Sequence, residues 1–256
     1  MSENRKFSVL MSVYVKENPV FLEEAVESII HQTLKPSEVV IVEDGPLTPE
    51  LYQVLEKLEA QSSIPIKRCP LEQNRGLGLA LQYGVLQCQY DVIARMDTDD
   101  IAVEDRFEQQ FELMEKENLD LLGGHIAEFI DQPDEIVSYR RVPTKHEDII
   151  AYQRMRSAFN HMTVMFKKDM VLKAGNYEDG LYMEDDLLWL NMISAGARTG
   201  NVDQILCKVR VGAGMFERRG GLRYLKLYRQ ARKRMYARGQ ISYGEYLKSV
   251  LIQVVV

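Results

Sequence analysis

The sequence predicts an α/β fold built on a mostly parallel sheet, and three features of its first hundred residues carry that prediction. Short apolar runs rich in β-formers recur at residues 7–14, 39–42, 64–68 and 91–96. Between them lie segments whose apolar residues keep helical spacing, as in Phe21, Leu22, Ala25, Val26, Ile29 and Ile30. Helix-starting signals precede those segments: Asn18 before Pro19, and Thr48 before Pro49, where proline's missing N–H costs nothing. Strands alternating with helices in this way form βαβ units with helices on both faces.

The elements follow in order. Residues 7–14 (FSVLMSVY) read as a buried strand and 19–30 as the first helix. Residues 39–42 form a second strand ending in Glu43, Asp44, Gly45 and Pro46, and a helix from Pro49 carries Leu51, Val54, Leu55 and Leu58 on one face. A third strand at 64–68, a helix at 77–87 and a fourth strand at 91–96 lead into Asp97, Thr98, Asp99 and Asp100. The second half is less regular. Strand is expected at 119–130, 163–167 and 205–211, and helix at 146–156, 184–195 and 220–238, the last with Leu222, Leu225, Tyr228 and Met235 as its seam. Residues 1–215 read as the catalytic domain and 216–256 as a basic helical extension.

Composition narrows the function classes. The 256 residues are 46% hydrophobic and 27% charged, enough for a sizeable core. No apolar run is long enough to span a bilayer, and the first ten residues lack the apolar stretch of a secretory signal. Cys69, Cys88 and Cys207 are odd in number and scattered, which points to a reducing, cytoplasmic compartment rather than a disulfide or zinc framework. The net charge is −6, yet residues 208–238 hold eleven Lys or Arg against the single acid Glu217. A basic segment on an acidic body is expected to meet a phosphate group or an anionic membrane; nothing points to nucleic acid.

In an α/β sheet, ligands bind beyond the carboxyl ends of the strands. Tyr14, Asp44 and the acids from Asp97 to Asp100 are therefore expected to share one crevice. Three carboxylates in four residues repel one another unless a hard divalent cation joins them, and oxygen is the ligand such a cation prefers. The competing reading is a solvated cluster in which Asp100 caps a helix beginning near Val103.

Taken in order, these motifs resemble the family-two glycosyltransferases of the GT-A fold, in particular bacterial enzymes of capsular and exopolysaccharide synthesis. The resemblance rests on residues 8–14 (SVLMSVY), 28–33 (SIIHQT), 42–45 (VEDG), 74–77 (NRGL) and 94–100 (ARMDTDD), then Asn160-His161 and Glu184-Asp185 ahead of Leu188-Trp189. It covers roughly the first 210 residues.

The resemblance implies transfer of a sugar from a nucleotide-diphosphate donor. Ser12 and Tyr14 match positions that contact the base, and Asp44 the acid that accepts from uracil N3–H, which points to UDP. Asn74 and Arg75 fall in the loop that meets base or ribose. Asp97 matches the acid near ribose and metal, and Asp99 the main ligand of Mn²⁺ or Mg²⁺. Asp185 matches the general base, although the second acid often found two residues later is Leu187 here and Asp186 stands beside it. Glu184 and His161 match the acceptor side, with helix capping and core packing as their structural alternatives. Arg218 and Arg219 fit a loop closing over the diphosphate, or the start of a solvated helix. The Gln-x-x-Arg-Trp motif and membrane helices of the processive synthases are missing, so a single sugar is expected to move to a glycan or lipid-linked acceptor. A sugar-phosphate nucleotidyltransferase is the main alternative, weakened by the lack of a Gly-rich, lysine-bearing loop near the N-terminus. The helix at 220–238 is read in two ways: attached to an anionic membrane, or packed by its seam on the catalytic body.

Overall fold

The computed structural model describes residues 5–179, 183–212 and 221–255. Strand β1 (Phe7–Val13) leads through α1 (Pro19–Ile30) to β2 (Glu38–Glu43), then α2 (Pro49–Gln61), β3 (Ile66–Pro70), α3 (Leu77–Gln87) and β4 (Val92–Arg95). The expected caps hold: Asn18 accepts from the Val20 amide and Thr48 from the Leu51 amide. Strands β3-β2-β1-β4 lie side by side, all parallel, with β1 at the centre. Helices cover both faces. Leu22, Ala25, Val26 and Ile29 of α1 join one core, and Ala80, Leu81 and Val85 of α3 join the other. Gly84 lets α3 lie flat on the sheet, since a Cβ there would stand 2.4 Å from the Leu10 side chain.

Beyond β4 the sheet becomes mixed. A short β5 (Ile101–Ala102) and α4 (Arg106–Glu117) precede β6 (Leu121–Phe129), β7 (Ile136–Arg140) and α5 (His146–Gln153). Next come a 3₁₀ turn (His161–Thr163), β8 (Met165–Lys167), α6 (Lys168–Lys173), α7 (Glu184–Ser194) and β9 (Thr199–Arg210). The order continues β4-β8-β6-β9-β5, with β7 on β6. Strand β8 runs antiparallel to both β4 and β6, while β6 and β9 are parallel. The sequence pattern reached only the last part of β9, because its first half mixes buried polar residues such as Thr199 and Asn201 with glycine. Strands β5 and β7 and helix α6 were not expected. They are short, or half-exposed with no apolar stripe.

Two helices complete the described chain, α8 (Gly221–Ala237) and α9 (Tyr243–Val255). They pack on α7 around Met183, Leu187, Leu190, Ala231, Met235 and Ile241. Position 187 is thus a core position, which accounts for leucine where the family often has an acid. Helix α8 turns Tyr228, Ala231 and Met235 inward, so its apolar seam packs on the catalytic body. The Leu222 side chain and the boundary at 215/216 lie outside what is described. No described helix is long and apolar enough to cross a membrane.

Candidate active site

The carboxyl ends of β2, β1 and β4 lie together, because each strand is hydrogen-bonded in parallel to the next. Tyr14, Asp44 and Asp97 therefore leave the sheet on the same edge. At β2, the turn through Asp44 and Gly45 (φ +86°) meets the loop before α3, and a Cβ on Gly45 would lie 2.6 Å from the Asn74 amide nitrogen. The Asp44 carboxylate accepts from the amides of Arg75 (2.7 Å) and Gly76 (3.0 Å), while the Asn74 side-chain amide donates to the Asp44 carbonyl (3.1 Å). Asp44 thus pins the Asn74–Arg75 loop at the start of α3, where backbone N–H groups favour a carboxylate. Asn74 and Arg75 are exposed, and Ser12 and Tyr14 are half-buried.

At β4 the acids Asp97, Asp99 and Asp100 can each offer an oxygen within 4.8 Å of the others. Their surroundings differ. The Arg95 guanidinium binds one oxygen of Asp97, and the other lies 2.6 Å from His161 Nε2. Burial alone would raise the Asp97 pKa, but Arg95 and His161 hold it below the usual carboxylate range. Asp99 is pushed up to about 7 by burial and then by the charges of Asp97 and Glu17. Asp100 rises as well, through burial and then Asp99 and Asp97, although its Oδ1 accepts from the Arg210 amide at 3.0 Å. Asp100 does not cap α4; Asp105 occupies the cap position. This donor set fits a hard divalent cation, since only oxygens converge and their mutual repulsion is what a cation would relieve.

The antiparallel entry of β8 brings in the rest of the site. Val92 of β4 faces Lys167 of β8, and Ala94 faces Met165, so residues preceding β8 lie beyond the carboxyl end of β4. His161 stands there, anchored by Thr163 and Asn160: the Gly124 amide donates to Thr163 Oγ1 (3.1 Å), and Asn160 Nδ2 donates to the Gly124 carbonyl (2.8 Å). From the first turn of α7, Asp185 Oδ2 meets His161 Nδ1 at 2.7 Å. One imidazole therefore joins the metal-type acid to the acid expected as base. Burial lowers its affinity for a proton, but Asp97 and Asp185 outweigh this and raise it to about 10, so His161 is an imidazolium at neutral pH.

Adjacent acids on α7 point to different places, as helical geometry requires. Asp186 accepts from Gln153 Nε2 of α5 at 2.7 Å. Glu184 packs toward α3, where a Cβ on Gly78 would come within 3.0 Å of its own Cβ, and burial followed by the charge of Asp185 raises it to about 7. Trp189 fixes α7 by packing edge-on against Phe159 and Tyr177, with ring centroids 5.9 and 6.2 Å away.

Several residues here were not singled out from the sequence. Arg95 looked like a strand residue, and the only signal was a cation inside a short buried run next to three acids. Arg106, fully buried, donates to the Arg95 carbonyl at 2.7 Å and so braces the strand end. Arg210 stacks on Phe21, with 3.7 Å between guanidinium carbon and ring centroid, and its Nε donates to the Asp99 carbonyl at 3.4 Å. It is the first site cation supplied by the basic segment. Arg218 and Arg219 lie outside the described residues.

The family model for glycosyl transferase family 2 matches residues 8–173. The chain belongs to that family. It is 47% identical to an uncharacterised glycosyltransferase of Haemophilus influenzae over 86% of this chain and 82% of the relative. The amylovoran biosynthesis glycosyltransferase AmsE of Erwinia amylovora is 43% identical over the same shares. An Escherichia coli protein, UDP-Gal:alpha-D-GlcNAc-diphosphoundecaprenol beta-1,3-galactosyltransferase, is 36% identical over 98% of this chain and 90% of its own. Two solved structures share the fold. Residues 1-349 of Staphylococcus aureus TarS, in complex with UDP-GlcNAc, give a TM-score of 0.67 at 18% identity, over 89% of this chain and 65% of that one. The Pyrobaculum calidifontis mannosyltransferase PcManGT, with GDP-Man and Mn²⁺, gives 0.68 at 15%, over 90% and 64%. The chain is thus a glycosyltransferase of GT-A fold, and the nucleotidyltransferase alternative loses its ground.

Proposed function

We propose that this enzyme moves one sugar from a UDP-sugar to a hydroxyl of a lipid-linked or glycan acceptor, with inversion at the anomeric carbon, during synthesis of a cell-surface polysaccharide. The observation that carries the reading is His161, shared between Asp97 of the acid cluster and Asp185 at the start of α7. Donor and acceptor machinery then adjoin across one side chain. The Escherichia coli relative, by its name, uses a UDP-sugar donor and a diphosphoundecaprenol-linked acceptor, which supports the same classes here, and three buried free cysteines suit a reducing compartment.

In this reading Asp44, Ser12 and Tyr14 receive the base, and Asn74 and Arg75 close the loop beside it. Asp97 and Asp99 would hold Mn²⁺ or Mg²⁺, which when bound would neutralise charge on the departing diphosphate. Arg210, ion-paired with Glu24 at 2.7 Å, braces the acid cluster from β9 through its contacts with Asp99 and Asp100. His161 orients Asp185 through Oδ2, while Oδ1 is buried and has no protein partner among the described residues. The Asp185 carboxylate takes the acceptor proton as the acceptor oxygen bonds to the anomeric carbon and the sugar–diphosphate bond breaks. Asp186, held by Gln153, takes no part.

The test is to offer UDP-sugars with a lipid diphosphate sugar as acceptor and to identify both products. The reading expects free UDP and a new linkage of inverted anomeric configuration. Pyrophosphate release, or a retained configuration, would refute it.

A further inference from the structure

Helix α8 spends part of its charge inside the protein. Arg232 is fully buried and donates to Ser249 Oγ of α9 at 3.0 Å. Arg234 and Arg238 pair with Glu178, in the segment leading to α7. Lys226, Arg229 and Lys233 do none of this. They are exposed, repeat at helical spacing on one stripe, and have no carboxylate partner among the described residues. The same stripe ends at Tyr236, whose ring packs against Tyr243 (5.7 Å) and Tyr246 (6.1 Å) at the start of α9. From Tyr243 an outward row continues through Leu247 and Leu251, with Ile252 beside it. Leu251 is 66% exposed and Ile252 50%, high values for residues that bury readily. Opposite this row, Ser249 is buried against Arg232. Lys248 is exposed on the outer side, and Glu245, the one acid of α9, is turned toward Arg154 and the Ser242 amide.

We infer that the outer face of α8 and α9 rests on an anionic membrane surface. The exposed Tyr236 and Tyr243 would sit at headgroup level, Leu247, Leu251 and Ile252 would dip into the apolar boundary, and Lys226, Arg229 and Lys233 would meet lipid phosphates. Charge complementarity selects this occupant. Exposed apolar residues bordered by exposed cations match a surface that is greasy beneath and negative above. The whole chain carries −6 although residues 208–238 carry a net +10, so its remainder is acidic and would be repelled from the same surface, and attachment would also orient the enzyme. The face differs from the one expected of α8 alone, because the inner seam of α8 is covered by α7. Since α7 also carries Asp185, the membrane would lie behind the helix that bears the proposed base. The inference itself stands without that catalytic assignment.

Co-sedimentation of the full chain with vesicles tests it. The protein is expected to pellet with phosphatidylglycerol-rich vesicles and not with pure phosphatidylcholine, and high salt should release it. Charge reversal at Lys226, Arg229 and Lys233, and separately Leu247→Ser with Leu251→Ser, should each weaken binding about tenfold or more. Both variants alter exposed side chains only, so circular dichroism and donor binding should be unchanged, which separates this surface from the catalytic site. Absence of pelleting at low salt, or equal pelleting by both variants, would overturn the inference. So would a stable dimer in vesicle-free solution that the two serines dissolve, because a second copy would then be the occupant.

Discussion

The proposed donor and acceptor sides of the site are held by different forces. Tyr14, Asp44 and Asp97 extend from parallel strands whose backbone hydrogen bonds fix them in register. His161 and Asp185 stand on a 3₁₀ turn and a helix start, and side-chain contacts hold these two elements in place: Thr163 and Asn160 on Gly124, and Trp189 among Phe159, Phe166 and Tyr177. Single substitutions should therefore separate the two sides. Changes on the donor side should remove chemistry while the fold stays intact, whereas packing changes on the acceptor side should loosen the fold and the base together.

The largest effect is expected at Asp99. Asp99→Ala should lower transfer by about a hundredfold or more and abolish metal-dependent UDP binding, as titration calorimetry would show, with circular dichroism unchanged. A global loss of structure would mean that the acids serve the fold. On the acceptor side, Trp189→Ala removes a fully buried indole and should cost about 3–5 kcal/mol in urea unfolding, with loss of transfer at temperatures where UDP still binds. A cost below about 1 kcal/mol would show that α7 is held by other means.

His161 links the sides and gives them a common pH signature. Its proton is held to about 10 in the folded protein against an ordinary value of 6.5, so its stabilising effect is complete below pH 6.5 and disappears as pH rises through 10. His161→Gln leaves Asp97 and Asp185 without the shared cation. It should be less stable than the parent protein at pH 6.5, and the gap should narrow toward pH 10 in denaturant titrations. A gap that does not change with pH would deny the imidazolium. The smallest effect is expected at Asp44, where Asn keeps one acceptor oxygen of two. Asp44→Asn should raise the KM for UDP-sugar about tenfold with little change in kcat. An unchanged KM would leave Asp44 as a loop anchor only.

The same division explains what could be read from the sequence. The parallel half follows simple patterns of apolar runs, caps at Asn18 and Thr48, and acids at strand ends, so its elements and the sheet edge that Tyr14, Asp44 and Asp97 share were legible. Asp97, Asp99 and Asp185 were singled out from motif order, and the structure adds that the neighbouring Asp186 is engaged by Gln153 of α5. Arg95 and Arg106 were hidden because a buried arginine shows no periodic signature. Arg210 was hidden because β9 brings it to Asp100 across 110 residues of chain. Helix α9 was missed as an element of its own, and with it the exposed Leu251 and Ile252. In one dimension, apolar residues that face solvent look the same as those that face a core.

The central claim is that donor binding and proton removal belong to the two sides separately, with Asp185 as the base. It is tested most directly by measuring UDP binding and sugar transfer on the same preparation of Asp185→Asn, with Mn²⁺ present. The account predicts UDP affinity within about twofold of the parent protein and transfer reduced by about a hundredfold or more. Near-normal transfer by Asp185→Asn, or loss of UDP binding in step with transfer, would contradict it.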